Sequence, residues 1–120
     1  MLWFFNRYGE PQIILNDQEK FLDRHGNHLG YVKNQNLIYN YNGKHCGWIE
    51  GYVIRDIYGH TVGFCDYSQD YPSPIFPIKR LPPSQPFPKV APFPKIPQIP
   101  RIKPIKSFGW SPLSLTQLFN

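Results

Sequence analysis

Cysteine, acid and long apolar runs are all scarce in this chain. Of 120 residues only two are cysteine, Cys46 and Cys65, and no C-x-x-C pair exists, so a disulfide scaffold and a thiol redox motif are both disfavoured. No apolar stretch approaches the roughly 18 residues of a membrane-spanning helix. The opening MLWFFNRYGE lacks a basic leader and a long apolar core, so no signal peptide is predicted and a cytoplasmic setting is expected. A G-x-S-x-G nucleophile elbow is missing too, and the serines sit mainly near the end. Glu50, Asp66 and Asp70 read as solvated carboxylates. The expectation is a protein that is not an enzyme and calls for no cofactor.

Acid is absent from one part altogether. All eight acidic residues lie in residues 1–71, which also hold six Lys+Arg and carry −2. Residues 72–120 hold seven Lys+Arg, no acid, and carry +7. Twelve of the fourteen prolines fall between Pro72 and Pro104. Two segments of different physics are joined here.

The first segment repeats. Gly9, Gly26, Gly43 and Gly59 are 17, 17 and 16 residues apart, and three positions before them stand Asn6, Asp23, Asn40 and Asp56. Each quartet fits a type I turn closed by a left-handed glycine, the turn of a bulged hairpin. The Asn or Asp side chain holds the turn amides, and glycine takes the positive φ cheaply. Zipping back from the turns in plain alternation gives a core face of Phe4, Phe21, Ile38 and Ile54 with Gln12, Leu29, Cys46 and Val62, then Ile14, Tyr31, Trp48 and Phe64. On that reading Cys46 and Cys65 lie on different faces as packed, reduced thiols. The other face is mixed, with Phe5, Leu22, Tyr39 and Arg55 beside Pro11, His28, His45 and Thr61. Gly30, Gly47 and Gly63 predict close backbone approach. One hairpin cannot bury its face alone; four do so about a pseudo-fourfold axis or as a continuous meander.

Residues 72–106 exclude helix and central strand by proline spacing. Pro94, Pro97 and Pro100 have the three-residue period of polyproline II. Phe76, Phe87, Phe93, Ile96, Ile99 and Ile102 are expected to lie on the hairpins, making this segment a strap. In residues 107–120, Ser111-Pro112 predicts the start of a short helix through Leu118. Trp110, Leu115 and Phe119 are expected to dock.

The four D/N-x-x-G turns, the run NGKHCGWIEGYVIRDIYGHTVGF, the Pro/Lys tail and Trp110-Ser111 with Ser114 resemble the bacterial 4-fold β-flower family over nearly the whole chain. The resemblance implies a small all-β domain of four hairpin petals, and it carries no catalytic residue with it. The first repeat departs from the pattern, with Ile13-Ile14 where the others have Gly plus an aromatic. The expected architecture is four antiparallel hairpins in a pseudo-fourfold flower (1–71), an extended polyproline II-like strap (72–106) and a docking C-terminal segment (107–120).

For function, the leading expectation is a structural or protein-interaction module. Its partner is another protein or a second copy, met through exposed petal aromatics such as Trp3, Phe5 and Tyr39 or through the tail. The tail offers Arg80, Pro83 and Pro86 in an SH3-type R-x-x-P-x-x-P pattern, together with Lys89, Lys95 and Arg101. The alternative is a polyanion binder, nucleic acid first, acting through the basic tail. His28 and His45 occupy equivalent repeat positions and are the weak candidates for a metal site.

Overall fold

The computed structural model describes residues 1–120. Eight short strands follow in order: β1 (Leu2–Phe5), β2 (Pro11–Leu15), β3 (Lys20–Asp23), β4 (His28–Lys33), β5 (Leu37–Asn40), β6 (His45–Glu50), β7 (Val53–Arg55) and β8 (Thr61–Phe64). Each pairs antiparallel with the next, and β8 returns to β1 through Phe64 opposite Phe5, closing a barrel. The two arrangements left open by the repeat are therefore one. A continuous meander closes on itself and carries four hairpin petals.

The petal tips form as their residues dictate. Asn6 Oδ1 accepts the amides of Tyr8 and Glu10, at 2.9 and 3.0 Å. Asp23, Asn40 and Asp56 repeat that pair of bonds in their own turns. Gly9, Gly26, Gly43 and Gly59 take φ of 75–86°. The β2–β3 connection uses the same device at Asn16, with Glu19 rather than glycine in the left-handed position, φ 61°.

A one-residue bulge recurs in every hairpin, between Phe4/Phe5, Phe21/Leu22, Ile38/Tyr39 and Ile54/Arg55. It corrects the expected faces. Phe4, Phe21, Ile38 and Ile54 are fully buried in the core, as read. Beyond the bulge the alternation is inverted, because an extra residue reverses every later side chain. Tyr31 stacks on Tyr39 at 6.0 Å, Phe64 lies 5.9 Å from Phe5, and Trp48 meets His45 at 4.5 Å, all on the outer face. Ile49 and Cys65 turn inward instead. Cys46 and Cys65 thus share one core, as free thiols. Burial pushes the Cys46 thiol up to about 11 and raises Cys65 as well, so neither is a ready thiolate.

The chain's end fills the barrel. Leu115, Leu118 and Phe119 join the core cluster, and Phe119 lies 5.3 Å from Phe21. Gly30 and Gly63, opposite Phe21 and Ile54, make the room: a Cβ on Gly30 would sit 2.7 Å from the Phe119 ring, and one on Gly63 2.6 Å from Leu115. The close approach expected of these glycines is therefore made partly to the C-terminal plug. The helix expected from Ser111-Pro112 is absent. The Ser111 amide is committed to the Thr61 carbonyl beside a parallel bridge from Thr61 to Trp110, which holds the chain extended there. Ser114 and Gln117 then exchange side chain-to-backbone bonds in capping-box fashion, and only a 3₁₀ turn, Gln117–Phe119, follows. Trp110 is half-buried against Phe64 and Phe76, at 6.3 and 6.1 Å. No helix is long and apolar enough to cross a membrane.

Candidate functional site

The petal tips and the proline-rich segment meet through their backbones. The carbonyls of Gly9, Gly26, Gly43 and Gly59 accept the amides of Arg80, Lys89, Gln98 and Ser107, at 2.8, 2.9, 2.8 and 3.1 Å. The donors are nine residues apart each time, so the segment visits the four petals in order. Two residues before each donor, a carbonyl occupies the place a Cβ would take. Ile78 O and Phe87 O lie 2.1 Å from the Cβ positions of Gly9 and Gly26, Ile96 O 2.4 Å from that of Gly43, and Ile105 O 2.5 Å from that of Gly59. Glycine at the tip thus serves twice, for its φ and for the approach of another backbone.

Side chains of the outer barrel face add contacts at the second and third petals. Tyr39 Oη donates to Gln98 O at 2.7 Å, and His28 Nε2 bonds Lys89 O at 2.7 Å. His45 Nδ1 accepts the Arg101 amide at 3.0 Å. That bond fixes His45 as the tautomer bare at Nδ1, and burial holds its pKa below the usual imidazole value.

Arg55 closes the ring. Its guanidinium is 2% exposed and donates to Pro72 O, where the segment begins, and to Ser107 O at 3.2 Å, where it ends. Gly59 O at 3.0 Å, Thr61 Oγ1 at 3.4 Å and Asp70 Oδ2, 3.2 Å from Nη2, complete the set. Asp70 also takes Lys106 Nζ at 2.8 Å, while Glu50 takes Lys103 and Lys106. A buried guanidinium needs such partners, since an unpaired charge there is very costly.

The belt does not lie on its apolar side chains, and this corrects the expected mode of strapping. Phe76 alone of the six packs on a petal, stacked on Phe64 at 4.5 Å. Phe87, Phe93, Ile96, Ile99 and Ile102 are exposed. Once the backbone is bound to the tips at intervals of nine, a multiple of three, one column of every third residue is left outside at every petal. The petal aromatics are corrected as well. Phe5 and Tyr39 are buried beneath the belt and Trp3 is half-buried. The exposed aromatics of residues 1–71 are Tyr8, Tyr52, Tyr58, Tyr67 and Tyr71.

In the R-x-x-P-x-x-P stretch, Arg80 faces Glu10 at 3.9 Å and Pro86 is half-buried, with Pro83 exposed between them. His28 and His45 do not converge. Each holds a different point of the belt, and no group of three or more His, Cys, Asp or Glu side chains gathers anywhere. Leu115 and Phe119 are buried as expected of docking residues.

A closed barrel of four bulged hairpins, ringed by its own proline-rich segment and plugged by its own end, is a distinctive arrangement. The family model described as "4-fold beta flower protein" matches residues 2–119. The chain belongs to the beta flower family. Comparison with curated proteins and with solved structures returned no match. In this beta flower, sequence reasoning missed Arg55, which looked like one polar residue on a mixed face. It also missed the nine-residue period of P-I-K-R, P-F-P-K, K-I-P-Q and P-I-K-S. That period was present in the sequence but hidden inside a denser three-residue alternation.

Proposed function

We propose that this beta flower is a non-enzymatic interaction module whose barrel is a frame for displaying the belt in polyproline II form. One observation carries the reading. Ile75, Ile78, Leu81, Phe87, Val90, Phe93, Ile96, Ile99, Ile102 and Ile105 are each 91–99% exposed. They follow at every third position, interrupted only at Ser84. Three residues per turn is the polyproline II period, which sets such residues in one column along the chain.

Dimensions support the same conformation. The molecule measures 36 × 36 × 22 Å, so its rim is about 110 Å around. The 35 steps from Pro72 to Ser107 span about 110 Å at ~3.1 Å each. The belt is therefore long enough to pass once round the disc.

Soluble monomers rarely leave so many large apolar groups in the open without a use for them. Backbone bonding to the tips leaves the column free for a partner, and proline lowers the entropy lost in holding the belt straight. The experiment is the triple substitution Ile96→Ser, Ile99→Ser, Ile102→Ser. Display predicts a melting temperature within about 5 °C of the parent, since each surface change costs at most about 0.5 kcal/mol. A fall of about 10 °C would place these side chains in a packed interior and defeat the reading.

A further inference from the structure

We propose that the belt from Phe87 to Ile102 is a docking surface for an anionic lipid bilayer. The assignment rests on the display reading and names its partner. The belt's charges are not equally engaged. Lys79 pairs with Asp66 at 3.2 Å, Arg80 with Glu10 at 3.9 Å, Lys106 with Asp70 at 2.8 Å, and Lys103 with Glu50. Lys89, Lys95 and Arg101 make no ion pair with the barrel, and no acidic residue follows Asp70 in the chain. The four engaged cations lie at the two ends of the belt and the three free ones in its middle. The middle arc spans the second and third petals.

That arc also carries Phe87, Val90, Phe93, Ile96, Ile99 and Ile102, all more than nine-tenths exposed. The three cations are six residues apart, two turns of a three-residue helix, so they form one column beside the apolar one. Apolar groups flanked by long cationic stems suit the boundary between acyl chains and phosphates. The apolar groups enter the boundary, and the stems reach the headgroups. A disc of this width standing on edge and sunk by 5–10 Å immerses about a quarter to a third of its rim, which is about nine to twelve belt residues. Three or four consecutive members of the apolar column and at least one of the free cations then enter together.

Other occupants fit less well. Two copies meeting at this arc would bring like charges together. A nucleic acid would use the cations and stack on Phe87 and Phe93, but it gains nothing from Ile96, Ile99 and Ile102.

The test uses the full chain and sedimented vesicles of phosphatidylcholine, with and without about 30% phosphatidylserine. The wild type is expected to bind the anionic vesicles at least about tenfold more strongly than the neutral ones, with the difference shrinking in high salt. Phe93→Ser with Ile99→Ser should weaken binding to both by about tenfold or more. Lys89→Gln, Lys95→Gln and Arg101→Gln together should abolish the preference for anionic lipid. Neither set touches the backbone amides that hold the belt, so unchanged melting is the control. Three results would overturn the assignment. The wild type could ignore anionic vesicles, the Phe93/Ile99 variant could bind like the wild type, or a single-stranded oligonucleotide could be bound in place of vesicles. A belt that resists trypsin in a protein indifferent to vesicles refutes the lipid partner alone. A belt that trypsin removes at once refutes the display reading beneath it too.

Discussion

The barrel and the belt solve opposite packing problems within one chain. In the barrel, Phe4, Phe21, Ile38 and Ile54 are buried and the petal-tip backbone is turned outward. In the belt, the backbone is turned inward and the apolar side chains outward. Barrel order comes from side-chain burial. Belt order comes from amide-to-carbonyl bonds at four glycines and Tyr41 and from a few polar side chains: Arg55, Tyr39, His28 and His45. An apolar residue is thus no evidence of a core where proline has already fixed the chain's direction and the backbone makes the contacts.

The largest loss of stability is expected at Arg55. Arg55→Met keeps most of the volume but leaves Asp70 partly unpaired and releases the carbonyls of Pro72 and Ser107. Removing one partner of a buried pair costs about 3–5 kcal/mol. Chemical denaturation should show a loss of that size, with the belt ends freed first. Phe119→Ala probes the barrel side. It empties the space that Gly30 keeps open and should cost about 3 kcal/mol or more, read by the same titration. Here the belt's bonds to the four tips should persist.

Gly26→Val strikes the junction of the two regions. It forces a branched side chain to a φ of 84° and puts its Cβ 2.1 Å from Phe87 O. A loss of about 1 kcal/mol or more is expected, with belt protection from hydrogen exchange lost near Lys89 while Lys95 stays protected.

The smallest effect is that of pH. Burial lowers the His45 pKa in the folded protein below the reference of 6.5, so the unfolded chain binds the proton more readily. His45 therefore contributes stability that is fully present above pH 6.5 and is lost as pH falls through the folded pKa. Protonation would also end acceptance of the Arg101 amide at Nδ1. Wild-type stability should decline below pH 6.5 more steeply than that of His45→Gln, and parallel profiles would contradict this role.

The petals were legible because their signals are local. Four Asn/Asp-x-x-Gly quartets state turn type, φ and strand direction without reference to the rest of the chain, and the core faces of β1, β3, β5 and β7 follow from them. The bulge was not legible at Leu29, Cys46 and Val62, because an apolar residue suits either side of a barrel whose outer face is also covered. That ambiguity reversed the assignment of Tyr31, Trp48 and Phe64. Docking of Leu115 and Phe119 was readable from their apolar character at a chain end. The role of Arg55 was not, since its partners Pro72, Ser107 and Asp70 lie 15 to 52 residues away and act largely through main-chain carbonyls. The belt's direction of facing was missed for the same reason, because the hydrogen bonds that decide it are made by the belt's main chain rather than by its side chains.

Limited trypsin digestion at Lys89, Lys95 and Arg101 tests most directly whether the belt is held by its backbone. The amide of each of these residues is engaged, with Gly26 O, Tyr41 O and His45 Nδ1 respectively. Although their side chains are open to the protease, an extended segment bonded in this way does not readily enter a protease cleft. Cleavage at all three sites is expected no faster than unfolding of the barrel, and a belt released by Arg55→Met is expected to be cut much sooner. Rapid cleavage at all three sites in the wild type, with the barrel left folded, would contradict a backbone-held belt.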